Sequence, residues 1–203
     1  NDDQTAHLKL VKTITNDNGG TAAITDWTLT ATGPTTPFTG VTGTPAVDKD
    51  VNAGTYALTE SGPAGYTGTW TCLDSAGKTV TITNGSVTLA LGANVTCTIN
   101  NDDQTAHLKL VKTITNDNGG TAAITDWTLT ATGPTTPFTG VTGTPAVDKD
   151  VNAGTYALTE SGPAGYTGTW TCLDSAGKTV TITNGSVTLA LGANVTCTIN
   201  NDD

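Results

Sequence analysis

Lys12, Glu60 and Asn101 each close a row of alternating apolar residues: Leu8-x-Leu10-x-Lys12, Tyr56-x-Leu58-x-Glu60 and Cys97-x-Ile99-x-Asn101. In an extended strand, residues two apart share a face, so each of these polar groups is aimed at a core. Buried singly, such groups are costly. Burial strips a lysine of its proton and leaves a proton on a glutamate. If the three meet, a neutral Lys12 amine can attack the side-chain carbonyl of Asn101. Glu60, the single glutamate in its stretch of one hundred residues, would polarise that carbonyl and shuttle protons while ammonia leaves, giving a Lys–Asn isopeptide bond. The same set recurs as Lys112, Glu160 and Asn201. Strand ends also emerge into solvent, where lysine snorkels and Glu and Asn are simply wet. The pattern alone does not choose between the two.

Cysteine supplies the other chemistry. Cys72 and Cys97 recur as Cys172 and Cys197. Their spacing is not that of a zinc site, and His7 lies on a different segment, so no metal and no cofactor is expected. Two cysteines in a small, Thr-rich, acidic domain read as one disulfide of an exported protein, with reduced core thiols of a cytosolic protein as the alternative. Cys72–Cys97 would close a loop of 26 residues and contribute about 3.5 kcal/mol.

These residues sit in a chain that is 2 × 100 + 3 in length. Residues 1–100 recur without substitution as 101–200, followed by Asn201, Asp202 and Asp203. A period this long suits a self-sufficient domain and not a solenoid unit. If Asn101 and Asn201 are the acceptors, the domains run 1–103 and 104–203, and Asn1 is the tail of an upstream copy. The connection then shrinks to about Asp102-Asp103-Gln104, too short for a flexible coil, so an extended rod of tandem domains is expected.

Each copy holds 24 Thr, and the chain holds 24 Gly, no Met and no Arg. That composition favours strands and turns. The alternating segments are Leu8–Ile14, Trp27–Thr32, Tyr56–Glu60, Trp70–Cys72 and Val95–Asn101. Val80 and Ile82 are expected to pair with Val87, Leu89 and Leu91 across Asn84-Gly85, a hairpin dipeptide whose residues both take positive φ. The proline- and glycine-rich stretch from Gly33 to Thr44 reads as a loop or broken edge strand. Seven to nine short strands with no helical period make an all-β immunoglobulin-like or prealbumin-like sandwich.

Three segments carry a family resemblance. His7-Leu8-Lys9-Leu10-Val11-Lys12 is similar to the first strand of CnaB-type (SpaA-like, prealbumin-like) domains of bacterial surface adhesins and pili. AGTYALTESGPAGY, residues 53–66, resembles their G-x-Y-x-L-x-E-x-x-x-P-x-G-Y segment, and VTCTINND, residues 95–102, resembles their closing strand. The resemblance covers essentially the whole hundred-residue unit. It implies Lys12 as nucleophile, Glu60 as catalytic acid and Asn100 or Asn101 as acceptor, with Asn200 or Asn201 in the second copy. Asn101 is preferred because it shares the face of Cys97 and Ile99. Isopeptide-bearing members of that family usually lack cysteines, so the disulfide either replaces the isopeptide bond or coexists with it.

The net charge of −10 argues against nucleic acid and anionic membrane as partners. No run of about 18 apolar residues is present to insert in a membrane. Asn16-Asp17-Asn18-Gly19 lacks the carboxylate spacing of a calcium loop and reads as a solvated turn. Asn84-Gly85-Ser86 and Asn94-Val95-Thr96 are glycosylation sequons only in a eukaryotic secretory host. The outward threonines could suggest an ice-binding face, but they fall on several strands instead of one flat array and read as ordinary β-surface. Trp27, Tyr56, Tyr66 and Trp70 are expected in the core. With its histidine ahead of the first strand, no Ser–His–Asp set is credible, and no turnover is expected beyond a single autocatalytic event. The expected role is a monomeric stalk or spacer of a bacterial cell-surface adhesin. Its partners would be neighbouring identical repeats, and other domains of the parent would meet the host. The alternative is a repeated adhesive module for host glycan or protein.

Overall fold

The computed structural model describes residues 4–203; Asn1, read above as the tail of an upstream copy, lies outside the described residues. The molecule divides into two compact units, the first running to Asp102 without the Asp17–Gly20 turn, the second made of that turn and Asp103–Asp203. The first repeat contains β1 (Ala6–Thr15), β2 (Thr28–Thr32), β3 (Phe38–Gly40), β4 (Asp48–Val51), β5 (Gly54–Ser61), β6 (Tyr66–Asp74), β7 (Thr79–Val80), β8 (Ile82–Thr83), β9 (Ser86–Leu89) and β10 (Asn94–Asp103). The second repeats them as β11 (Ala106–Thr115) through β20 (Asn194–Asp202). Each repeat thus has ten strands where seven to nine were expected, because Phe38–Gly40 and Asp48–Val51 form short strands of their own and Val80 and Ile82 fall on separate ones.

Two five-stranded sheets make each sandwich, in the order β4-β1-β10-β6-β7 and β3-β2-β5-β9-β8. The first and last long strands are neighbours and run parallel, with Leu10 opposite Cys97 and Ile14 opposite Asn101. The predicted faces hold: Leu8, Leu10, Trp27, Leu29, Ala31, Tyr56, Leu58, Val95, Cys97 and Ile99 are all buried. Trp27 and Tyr56 fill the interior as expected, whereas Tyr66 and Trp70 are only half-buried.

One predicted hairpin is divided between the sheets. Val80 pairs with Cys72 in the first sheet, while Ile82 pairs with Val87 in the second. Thr81 separates the two strands, which form one edge of the first sheet and one edge of the second. Leu91 lies beyond β9 and is exposed. The turn itself is as expected, with Asn84 at φ 49° and Gly85 at φ 74°. The outward threonines of β2, β3, β5 and β9 share one face, cross-linked by Thr30–Thr39 and Thr55–Thr88 hydroxyl contacts of 2.9 Å. Others, such as Thr69 and Thr71 of β6, lie on the other sheet, so the threonines are spread over both, as expected.

The segment expected to be linker is structured. β10 continues to Asp103, which is 3% exposed. Its carboxylate accepts backbone N–H bonds from Asp17, Asn18 and Gly20 at 2.6 to 3.0 Å. The turn expected to be solvated therefore converges its N–H donors on an anion, the opposite polarity to a cation site. Those three donors hold the Asp103 carboxyl below the ordinary value of 3.8 against the burial that opposes them. A depressed aspartate stabilises the fold above its unfolded value and loses that contribution as pH falls through the folded one. Asp103→Asn is expected to cost about 1–2 kcal/mol at neutral pH. Urea midpoints measured down through about pH 3 should also fall less steeply for Asp103→Asn than for the parent; equal acid slopes would reject this role.

Candidate functional site: a Lys–Glu–Asn cluster beside a disulfide

Both sulfur pairs are joined. Cys72–Cys97 and Cys172–Cys197 each bridge strands with Cα atoms 4.0 Å apart. In the second repeat the two cysteines face each other directly across β16 (Thr167–Asp174) and β20. The bridge ties the closing strand to its neighbour within one sheet.

The three polar residues also meet. Lys12 comes from β1 and Asn101 from β10, adjacent strands of one sheet, while Glu60 reaches over from β5 of the facing sheet. Lys12 and Asn101 are each 2% exposed. Glu60 divides its carboxylate between them. Oε1 accepts from Asn101 Nδ2 at 2.6 Å, and Oε2 stands 3.2 Å from Lys12 Nζ. In the second repeat the same distances are 2.6 Å and 3.3 Å. Asn100 and Asn200, the other possible acceptors, are exposed, and each takes a hydroxyl hydrogen bond at 2.9 Å, from Thr13 and Thr113.

Aromatic packing closes the site. The Trp27 ring lies 4.5 Å from Lys12 Nζ, and Tyr66 meets Trp27 edge-on with centroids 5.2 Å apart. Burial lowers the Lys12 amine from its ordinary value of 10.5, partly offset by Glu60, and Lys112 is lowered for the same reason. Lys12 Nζ, Glu60 Oε2 and Asn101 Oδ1 are buried without an aligned hydrogen-bond partner. Three such atoms together are an expensive arrangement for a resting core.

His7 belongs to a separate cluster. His7, expected ahead of the first strand, is within β1 and offers its ring nitrogens to Asp48 at 2.6 Å and Asp50 at 2.8 Å. Those hydrogen bonds, Asp50 foremost, raise its pKa above 6.5 despite partial burial. In the second repeat the Asp117, Asp202 and Asp203 carboxylates come within 4.8 Å of one another. Asp203 already faces the N–H groups of Asp117, Asn118 and Gly120. Sequence reasoning missed Asp103 and Asp203 because a tandem Asp-Asp at a strand end has no signature apart from the turn it serves.

A profile of the prealbumin-like fold domain matches residues 3–99 and again residues 103–199. The chain belongs to the prealbumin-like fold domain family. Each prealbumin-like domain is thus one copy of the repeat, as the resemblance of its three segments implied. Among solved structures, the Bacillus anthracis TIE protein overlays with a TM-score of 0.57 at 12% identity over 98% of this chain, and this chain spans 34% of the length of that one. The major pilin T-13 of Streptococcus pyogenes is similar at 15% identity and a TM-score of 0.39, covering 98% of this chain and 97% of that one. Pilus adhesin SpaC from Lactobacillus rhamnosus GG is similar at 14% identity and a TM-score of 0.40, covering 97% and 31%. At 12% identity the likeness to the TIE protein concerns the fold alone. No curated protein matches the sequence.

Proposed function

We propose that this chain is a length of stalk from a bacterial surface adhesin or pilus-like protein, a series of prealbumin-like domains that hold a distal binding domain away from the cell. Each domain, 1–103 and 104–203, carries two covalent clamps, the disulfide and a Lys–Asn isopeptide bond. The observation that carries this reading is the single Glu60 carboxylate in contact with both the attacking nitrogen and the leaving nitrogen. Lys12 Nζ passes one proton to Oε2 and, as a neutral amine, attacks Cγ of Asn101; the carboxyl gives a proton to Nδ2 and takes the second from Nζ, so ammonia departs and Glu60 ends protonated. The C–N bond to Nδ2 breaks as the C–N bond to Nζ forms. The proton lost by the amine is the one gained by the acid, so the reactive state has the same proton count as the resting pair.

Energetics support the same outcome. Reaction replaces a buried ion pair by a neutral amide and removes a buried amine with no aligned partner. Asn101 is the acceptor because Asn100 faces solvent and is engaged by Thr13. Glu60 and Glu160 would each act once, so the chain is not a turnover enzyme. A location outside the cell suits the disulfides.

Intact mass tests the proposal. Each isopeptide bond removes about 17 Da and each disulfide about 2 Da, so the full chain should fall about 38 Da below the mass calculated from its sequence, and about 34 Da below after reduction. Glu60→Ala should leave a deficit of about 21 Da before reduction. A native deficit of only about 4 Da would leave disulfides as the only clamps and end the isopeptide reading.

A further inference from the structure

We infer that Gly68, and Gly168 in the second domain, are positioning residues for the crosslink: the side chain they lack leaves the slot in which the acceptor carboxamide lies. The inference rests on the isopeptide reading above and adds a residue to it.

Gly168 faces Asn201 directly across the β16–β20 pair, in the sheet that also holds the nucleophile. A Cβ built on Gly68 would overlap Asn101 Oδ1, lie 3.0 Å from Asn101 Cγ and press on Ile99 Cδ1 at 2.8 Å. At Gly168 the same atom would overlap Asn201 Oδ1 and stand 2.9 Å from both Asn201 Cγ and Ile199 Cδ1. The requirement is for space, since neither glycine is among those with positive φ. Glycine within a strand weakens it and marks a close approach by another group. Here that group is a side-chain amide.

The slot decides which way the amide points. With Oδ1 turned toward β6, Nδ2 is left on Glu60 Oε1 at 2.6 Å, so the nitrogen that must depart rests on the group that must protonate it. A methyl at position 68 would displace Oδ1 and break that alignment while leaving Lys12 and Glu60 in place. Misplacing a reacting group by about 1 Å can cost roughly 100-fold in rate.

The experiment is Gly68→Ala in the full two-domain chain, with the unchanged second domain as internal reference. Ammonia loss is followed by intact mass and assigned to a domain through the peptide that carries the substitution. The parent chain is expected to lose two ammonia equivalents and the variant one, with Cys72–Cys97 formed and the far-ultraviolet dichroism unchanged. Loss of two equivalents at the parent's rate overturns the role of Gly68. Loss of none by the parent overturns the isopeptide reading itself, and this inference with it. Should Gly68→Ala alone disturb folding through Ile99, Gly68→Ala/Ile99→Val relieves that contact and keeps the clash with the amide. That folded double variant must also lose a single equivalent for the inference to stand.

Discussion

Pulled from its ends, the native chain should extend hardly at all, and removal of the acceptor amides should release about 250–270 Å per domain. The reason is topological. β1 and β10 are parallel neighbours, so force entering at Ala6 and leaving at Asp103 loads their ladder in shear. A Lys12–Asn101 bond short-circuits that path. With that bond in place, the 88 residues from Thr13 to Asn100 would lie inside a closed loop and carry no load, and the ten residues from Asp102 to Val111 would separate one crosslink from the next. The disulfide alone shields only the 24 residues from Leu73 to Thr96, leaving 76 of each hundred free to stretch. Single-molecule extension of the parent should therefore show no step of this size. Asn101→Ala/Asn201→Ala should show two, each growing to about 330–360 Å on reduction. Steps of 250 Å in the parent would mean that the load passes through hydrogen bonds and not through an isopeptide bond.

The same substitutions should cost much of the thermodynamic margin. Closing a ring from Lys12 to Asn101 removes chain entropy worth about 4.6 kcal/mol from the unfolded state, and the 26-residue disulfide ring about 3.5 kcal/mol. A domain of this size has about 5–15 kcal/mol in total, so loss of both clamps should leave it unfolded or barely folded at 37 °C. Asn101→Ala is the cleaner choice for this measurement, because Glu60→Ala would also strand the buried Lys12 charge. Guanidinium midpoints for Asn101→Ala/Asn201→Ala, with and without reductant, should step down by these amounts. A change below about 1 kcal/mol in the oxidised protein would show that no ring had been closed.

Much of this could be read from the order of residues. The exact repeat defines the unit, and period-two alternation assigns Leu8, Leu29, Tyr56 and Cys97 to the core because a strand presents alternate side chains to opposite faces. Asn84-Gly85 marks its own turn, since both residues accept positive φ. The same alternation aimed Lys12, Glu60 and Asn101 inward, and all three lie where it put them.

Alternation says which face a residue occupies, but not which strand lies beside it. Only the folded chain makes β1 and β10 parallel neighbours, brings Glu60 across from the other sheet, and sends Val80 and Ile82 to different sheets. Gly68 looks like any strand glycine until Asn101 is seen opposite it, and Asp103 looks like linker until three N–H groups are seen on its carboxylate. Local pattern is a property of neighbours in the chain. The Lys–Glu–Asn cluster joins residues 41 to 89 positions apart, and contacts of that range are decided by how two sheets pack, which no short window of sequence contains.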